Sequence, residues 1–172
     1  PNGDEEGVTR LAESIYLALP LIGGRHLESA RKIAEIIEGL GHKVVSDWVV
    51  AEDPGWGLTP EAVYRRDTQG VRGCDSLLAE VSTPSHGVGM EIMLAHTLGK
   101  RVVCVCQKGT RLSRLLQGMP NIEIIEYGSF EEVEEDLKVI LTHRRNGSGG
   151  KKGQNGTASW TADDRRPRRL RA

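Results

Sequence analysis

The segment Ser82-Thr83-Pro84-Ser85-His86-Gly87-Val88-Gly89-Met90-Glu91-Ile92 gathers several residue types that could do chemistry into one short stretch. The Ser85 hydroxyl, with the unhindered backbone at Gly87 and Gly89 just before a helix that opens at Met90-Glu91, suits an anion cradle. The first turn of a helix offers N–H groups with no partner of their own. Glu91 falls in that first turn, where the helix dipole favours a charged carboxylate. By spacing alone, Glu91 equally does no more than complement the dipole and the serines no more than cap. A second candidate is Gly23-Gly24 with Arg25, where glycine lets backbone approach a ligand. It matches neither GxGxxG nor GxxxxGK[ST], and such a turn equally serves only to join a strand to a helix. Asp67 stands in the charged run Tyr64-Arg65-Arg66-Asp67, where a solvated surface acid is the ordinary outcome. His86 and His96 lack a third ligand at metal spacing, which argues against zinc. Tyr16, Cys104 and Cys106 read as core, and Trp48 and Trp56 suit loop packing as well as ligand contact.

These residues sit at the ends of short apolar runs that alternate with segments of helical period, the pattern of βα units and a parallel sheet. Five strands are expected, over Ser14 to Leu19, Lys43 to Val49, Ser76 to Val81, Arg101 to Cys106 and Ile122 to Ile125. Their Val, Ile and Leu content suits strands covered on both faces. Thr59-Pro60 predicts an N-cap with proline at the first helical position, Ser129 with Glu132 a capping box, and Gly41 the end of the first helix. In that helix Ala30, Ile33, Ala34 and Ile37 face the sheet. The result is a doubly wound domain, whose ligands bind beyond the carboxyl ends of the strands.

The chain has 172 residues, 38% of them apolar, and no apolar run near the roughly 20 residues of a membrane helix. Three cysteines form no even framework, which fits a reducing cytosol. No secretory signal is recognised, and the sequence begins at Pro1. The net charge of -1 conceals nine basic and two acidic residues in 144–172, leaving an acidic body over 1–143. That acidic body argues against duplex DNA as the main ligand. Residues 1–13 read as a polar leader, 14–143 as the domain and 144–172 as a disordered basic tail. The Arg165 to Arg171 run suits nuclear import or simply a solvated tail.

The order Tyr16, Gly23-Gly24-Arg25, Asp67, then Ala79-Glu80-Val81-Ser82-Thr83-Pro84-Ser85-His86-Gly87-Val88-Gly89-Met90-Glu91 resembles the 2'-deoxynucleoside 5'-phosphate N-hydrolases, within the nucleoside 2-deoxyribosyltransferase superfamily. The likeness runs from Ile15 to about Leu141. It implies a flavodoxin-like (Rossmann-like) sheet of order 2-1-3-4-5, a homodimer, and hydrolysis of the N-glycosidic bond of (deoxy)nucleoside 5'-monophosphates without metal or other cofactor. By the same resemblance Glu91 is the nucleophile, Tyr16 orients it, and Asp67 helps protonate the departing base. Gly23, Gly24, Arg25, Ser85, Gly87 and Gly89 then line the substrate site, and Ser113 reaches the neighbouring subunit's phosphate.

Those residue types suit that chemistry: a carboxylate can attack the carbon that becomes oxocarbenium-like, and an acid can ease the departure of the base. Two positions depart from the family's Gly-Ser-Ile-Arg-Gly-Gly-Arg turn. Pro20 and Ile22 replace a serine and an arginine, removing charge-assisted contacts to phosphate. Trp48 stands where the family often has histidine and could stack on a base. Two alternatives are therefore kept: a nucleotide-binding module without turnover, and a 2-deoxyribosyltransferase.

Overall fold

A computed structural model describes residues 12–23 and 25–142. Gly24, most of the expected leader and the basic tail lie outside the described residues. Five strands form one parallel sheet, β1 (Ser14–Ala18), β2 (Lys43–Val44), β3 (Ser76–Glu80), β4 (Arg101–Gln107) and β5 (Glu123–Tyr127), in the order β2-β1-β3-β4-β5. The helices are α1 (Leu27–Gly39), α2 (Pro60–Gly73), α3 (His86–Thr97), the short α4 (Arg114–Gln117) and α5 (Phe130–Thr142). The expected topology and strand order are those observed.

Because side chains alternate along a strand, β1 feeds two cores. Ile15 and Leu17 pack with Ile33, Ile37 and Leu137 beneath α1 and α5, while Tyr16 and Ala18 pack with Val71, Ile92 and Ala95 beneath α2 and α3. The helix signals hold locally. The Thr59 side chain accepts from the Ala62 N–H, with Pro60 as the first helical residue. Gly41 follows α1 at φ +87°, a conformation open to glycine, and His42 N–H reaches back to the Ile37 carbonyl. Ser129 Oγ accepts from the Glu132 N–H at 3.4 Å, and the Glu132 carboxylate reaches back to the Gly128 N–H at 2.7 Å and, more weakly, to that of Ser129.

Two elements differ from expectation. The second strand is Lys43–Val44 alone, and Asp47–Val50 forms a 3-10 turn instead of continuing to Val49. The cause is Ser46, fully buried, whose Oγ both accepts from Leu17 N–H and donates to Leu17 C=O at 2.8 Å. One side chain thus takes the ladder position of a backbone, and the chain turns away. This turn carries Trp48 over Tyr16. The helix after β3 opens at His86, not at Met90, so Glu91 lies a full turn further in than expected. At the chain's start Glu13, expected in the leader, is tied down by its N–H to His42 Nδ1 at 3.1 Å and by Arg101 at 3.5 Å.

Candidate active site

On the α2/α3 side of the sheet, five side chains from four elements meet. Tyr16 rises from β1, Trp48 hangs from the 3-10 turn, Arg66 and Asp67 come from α2, and Glu91 from α3. Tyr16 Oη donates to Glu91 Oε1 at 2.7 Å. The Tyr16 and Trp48 rings meet edge to face, with centroids 6.0 Å apart. The Arg66 guanidinium lies 4.5 Å over the Trp48 ring, donates from Nε to Asp67 Oδ1 at 2.7 Å and from Nη1 to the Pro54 carbonyl at 2.7 Å. Close approach is possible because Gly70 has no side chain. A Cβ there would stand 2.7 Å from Tyr16 Cε2 and 3.4 Å from Trp48 Cη2.

The electrostatics reverse the expectation for Glu91. Placed beyond the first turn of α3, it gains little from the helix dipole, and burial pushes its carboxyl up to about 7. The Tyr16 hydrogen bond and Arg66 pull the other way, while the nearby Asp67 charge pushes it up further. Tyr16 itself is driven well above its ordinary value, by burial first and then by Glu91, and therefore remains a hydrogen donor. A carboxyl group balanced near neutrality beside a fixed donor is suited to nucleophilic or acid–base work.

The remaining sequence-expected residues are placed with less convergence. Ser85 is the N-cap of α3, its Oγ accepting from Val88 N–H at 3.4 Å. Gly89 opens onto free space, and a Cβ at Gly87 would meet only Ser85 Oγ, at 3.9 Å. Ser113 caps α4, accepting from Leu115 N–H at 3.2 Å, and is exposed. Gly23 is exposed with φ +81°. Arg25 directs its guanidinium to chain carbonyls, those of Glu52, Val49 and Ala51, and its buried Nε has no hydrogen-bond partner among the described residues.

Arg66 and Gly70 were not picked out from sequence, although the signal was present. Val63, Arg66, Asp67 and Gly70 recur at three and four along α2, which puts them on one face. A cavity of about 140 Å³ is lined by Pro20, Arg25, Glu80, Ser82, Thr83 and Tyr127 among others, but by none of Tyr16, Asp67 or Glu91. Its lining comes from the α1 side of the sheet and includes the buried Glu80 carboxylate, bound by Ser82. An acid there repels a phosphate, so the hydrogen-bonded cluster, not this cavity, is the candidate centre. Among the described residues no group of three or more His, Cys, Asp or Glu is placed to hold a metal, and no helix is long and apolar enough to cross a membrane.

A flavodoxin-like sheet with a tyrosine-bonded glutamate on the helix after its third strand defines a class of site. The profile described as nucleoside 2-deoxyribosyltransferase matches residues 15–152, and the chain belongs to that family. It is 32% identical over 134 residues to a protein of Thermofilum pendens named "Putative 2'-deoxynucleoside 5'-phosphate N-hydrolase 1", covering 74% of this chain and 94% of that one. It is 36% identical over 142 residues to the 5-hydroxymethyl-dUMP N-hydrolase of Mus musculus, covering 76% and 78%. Among solved structures, the Clostridium botulinum CMP N-glycosidase BcmB superposes with a TM-score of 0.58 at 20% identity, covering 74% of this chain and 98% of that one. That likeness bears on the fold alone.

Proposed function

We propose that the unit 14–143 is an N-glycoside hydrolase that releases the base from (deoxy)nucleoside 5'-monophosphates. The observation that carries the reading is the Tyr16–Glu91 hydrogen bond at 2.7 Å with Asp67 on the facing helix, in a chain of this family. The names of the relatives support the same substrate class.

In the reaction the ionised Glu91 carboxylate attacks the anomeric carbon as the bond to the base breaks. Tyr16, donating to Oε1, aims the other oxygen and steadies the negative charge. Asp67 is the proton source for the departing base. Its Oδ1 is held by Arg66, leaving Oδ2 for that task. Water then displaces Glu91 from the sugar. Ser85 and the Gly87 amide anchor the phosphate, the Gly89 N–H being bonded to the Ser85 carbonyl at 3.1 Å, and Trp48 faces the base. Pro20 and the exposed Ile22 add no charged contact, so phosphate binding rests on the α3 end.

Met90 and Met93 of α3 and Leu115 of α4, two residues from Ser113, are exposed apolar side chains, and a homodimer that covers them would bring Ser113 to the partner's phosphate. Sedimentation equilibrium reading the mass of a single chain would refute the dimer. The activity is tested by incubating wild type and Glu91→Gln with ribo- and deoxyribonucleoside monophosphates, and with the matching nucleosides, then separating free bases. Base release from monophosphates by wild type and near-complete loss in the variant are expected. Release by neither protein, or equal release by both, overturns the reading. Release only when a second free base is present would instead mark a transferase.

A further inference from the structure

Among the described residues Arg66 is the one cation in the cluster, and three contacts fix it: Asp67 on Nε, the Pro54 carbonyl on Nη1, and the Trp48 ring beneath the guanidinium. An arginine tethered only to balance Asp67 needs neither of the other two. The tethering leaves Nη2, with both its N–H donors, without a protein partner among the described residues, and the Arg66 side chain is 21% exposed. A guanidinium held rigid with free donors is prepaid for a ligand acceptor, because little side-chain entropy remains to be lost. The acids on either side, Asp67 and Glu91, are the groups assigned to the base and to the sugar carbon.

Resting on the hydrolase reading above, we propose that Arg66 is a catalytic residue that binds the departing base and stabilises the negative charge it acquires before the Asp67 proton reaches it, so that the preferred substrates carry oxo-pyrimidines, whose carbonyl oxygens take up that charge. When the bond between the anomeric carbon and the base nitrogen breaks, its electron pair goes to the base and spreads from the ring nitrogen to the adjacent carbonyl oxygens. Arg66 Nη2 donates to such an oxygen while Glu91 supplies the pair that bonds to the sugar carbon. Water later adds its oxygen to that carbon and frees the Glu91 carboxylate. One water proton stays on the new hydroxyl and the other returns to Asp67, replacing the proton that Asp67 gave to the base. The balance is nucleotide plus water giving base plus sugar phosphate. Adenine, which leaves neutral after protonation of its own ring, draws no comparable help from a cation. Trp48 and Gly70 serve this arrangement by forming the floor on which the guanidinium lies.

The test compares kcat/KM for 5-fluoro-, unsubstituted and 5-methyl-deoxyuridine monophosphates and for deoxyadenosine monophosphate in wild type, Arg66→Gln and Arg66→Lys. Removing a fixed donor from developing charge costs about 10²–10³ in a closed site, and this one is partly open. We expect Arg66→Gln to lose about 10- to 100-fold on the unsubstituted and 5-methyl compounds, less on the 5-fluoro compound, whose base is the better leaving group, and little on the adenine compound. The dependence of rate on base acidity thus steepens. Arg66→Lys, which keeps the charge but not the fork, retains the wild-type dependence at a lower overall rate, and serves if the glutamine variant folds poorly. An equal loss on all four substrates, with the fold intact by circular dichroism, overturns the role of Arg66 while leaving the hydrolase reading in place. No release from any substrate by wild type overturns both.

Discussion

Tyr16→Phe separates two things that the Tyr16 hydroxyl does for Glu91, namely aiming it and holding it ionised. The ring remains, and with it the edge-to-face contact with Trp48 at 6.0 Å, so the perturbation is confined to one oxygen 2.7 Å from Oε1. In the free protein burial holds the Glu91 carboxyl at about 7, and the Tyr16 bond is what keeps it from lying higher. A hydrogen bond to a charged group contributes about 1.5–3 kcal/mol, and roughly 1.4 kcal/mol corresponds to a tenfold change in acidity. Removing it therefore moves the Glu91 carboxyl up by about one pH unit or more. Because the attacking form is the carboxylate, kcat/KM rises with pH through that value. The acid limb should pass from about 7 in wild type to about 8 or above in the variant. At pH 7 the ionised share then falls from about one half to about a tenth, roughly a fivefold loss, which narrows by pH 9. The substrate phosphate gains its proton below pH 7 alike with both proteins, so the difference between the two profiles isolates Glu91. Parallel profiles with one midpoint would refute the reasoning and leave Tyr16 an orienting group only.

Glu91→Gln should stabilise the fold as it removes activity. A carboxyl held at about 7 when folded and near 4.5 when unfolded binds more protons in the native state between those values, so wild type loses stability as pH rises through that window, by up to roughly 3 kcal/mol. Melting temperatures of the two proteins should therefore diverge in favour of the variant between pH 5 and 8; a constant gap would contradict the raised value. Gly70→Ala gains about 1 kcal/mol of helix propensity but forces the Tyr16 ring off a contact that would be 2.7 Å. Net destabilisation of about 1–2 kcal/mol by urea titration is expected, with an acid limb displaced as in Tyr16→Phe. An alanine variant more stable than wild type, with its pH profile unchanged, would show that the ring has room to move.

Much of this architecture was legible because it depends on local signals. Thr59-Pro60 states a helix start through one hydroxyl and one missing N–H, and the Val and Ile runs of β4 leave no face for water. Ser46 shows where such reading stops. A buried hydroxyl bonded to both backbone groups of Leu17 ends β2, yet in sequence it is one serine inside an apolar run. The environment of Glu91 is not legible in its spacing: the start of α3 lies at His86, where Ser85 caps, and burial rather than the dipole sets the acidity. Arg66 is hard to read from sequence, since α2 has Val71 as its single buried residue and offers little apolar stripe against which to read a polar face. The convergence of β1, the 3-10 turn, α2 and α3 on one point is a long-range fact, and no spacing in the chain encodes it.

The early end of β2 has a consequence for the sheet as a whole. An edge strand is a row of unpaired N–H and C=O groups on which another chain can add a strand, and long flat edges invite aggregation. Here that edge is two residues long, opens with the exposed Lys43, and is followed at once by a turn whose backbone is occupied by Arg25 and Arg31. At the opposite edge, β5 carries Glu123 and the exposed Glu126. Both borders of a strongly apolar parallel sheet are thus charged, and one is cut short, so the fold offers a second copy little backbone to pair with. A dimer, if formed as proposed above, would have to use side chains on the helical faces.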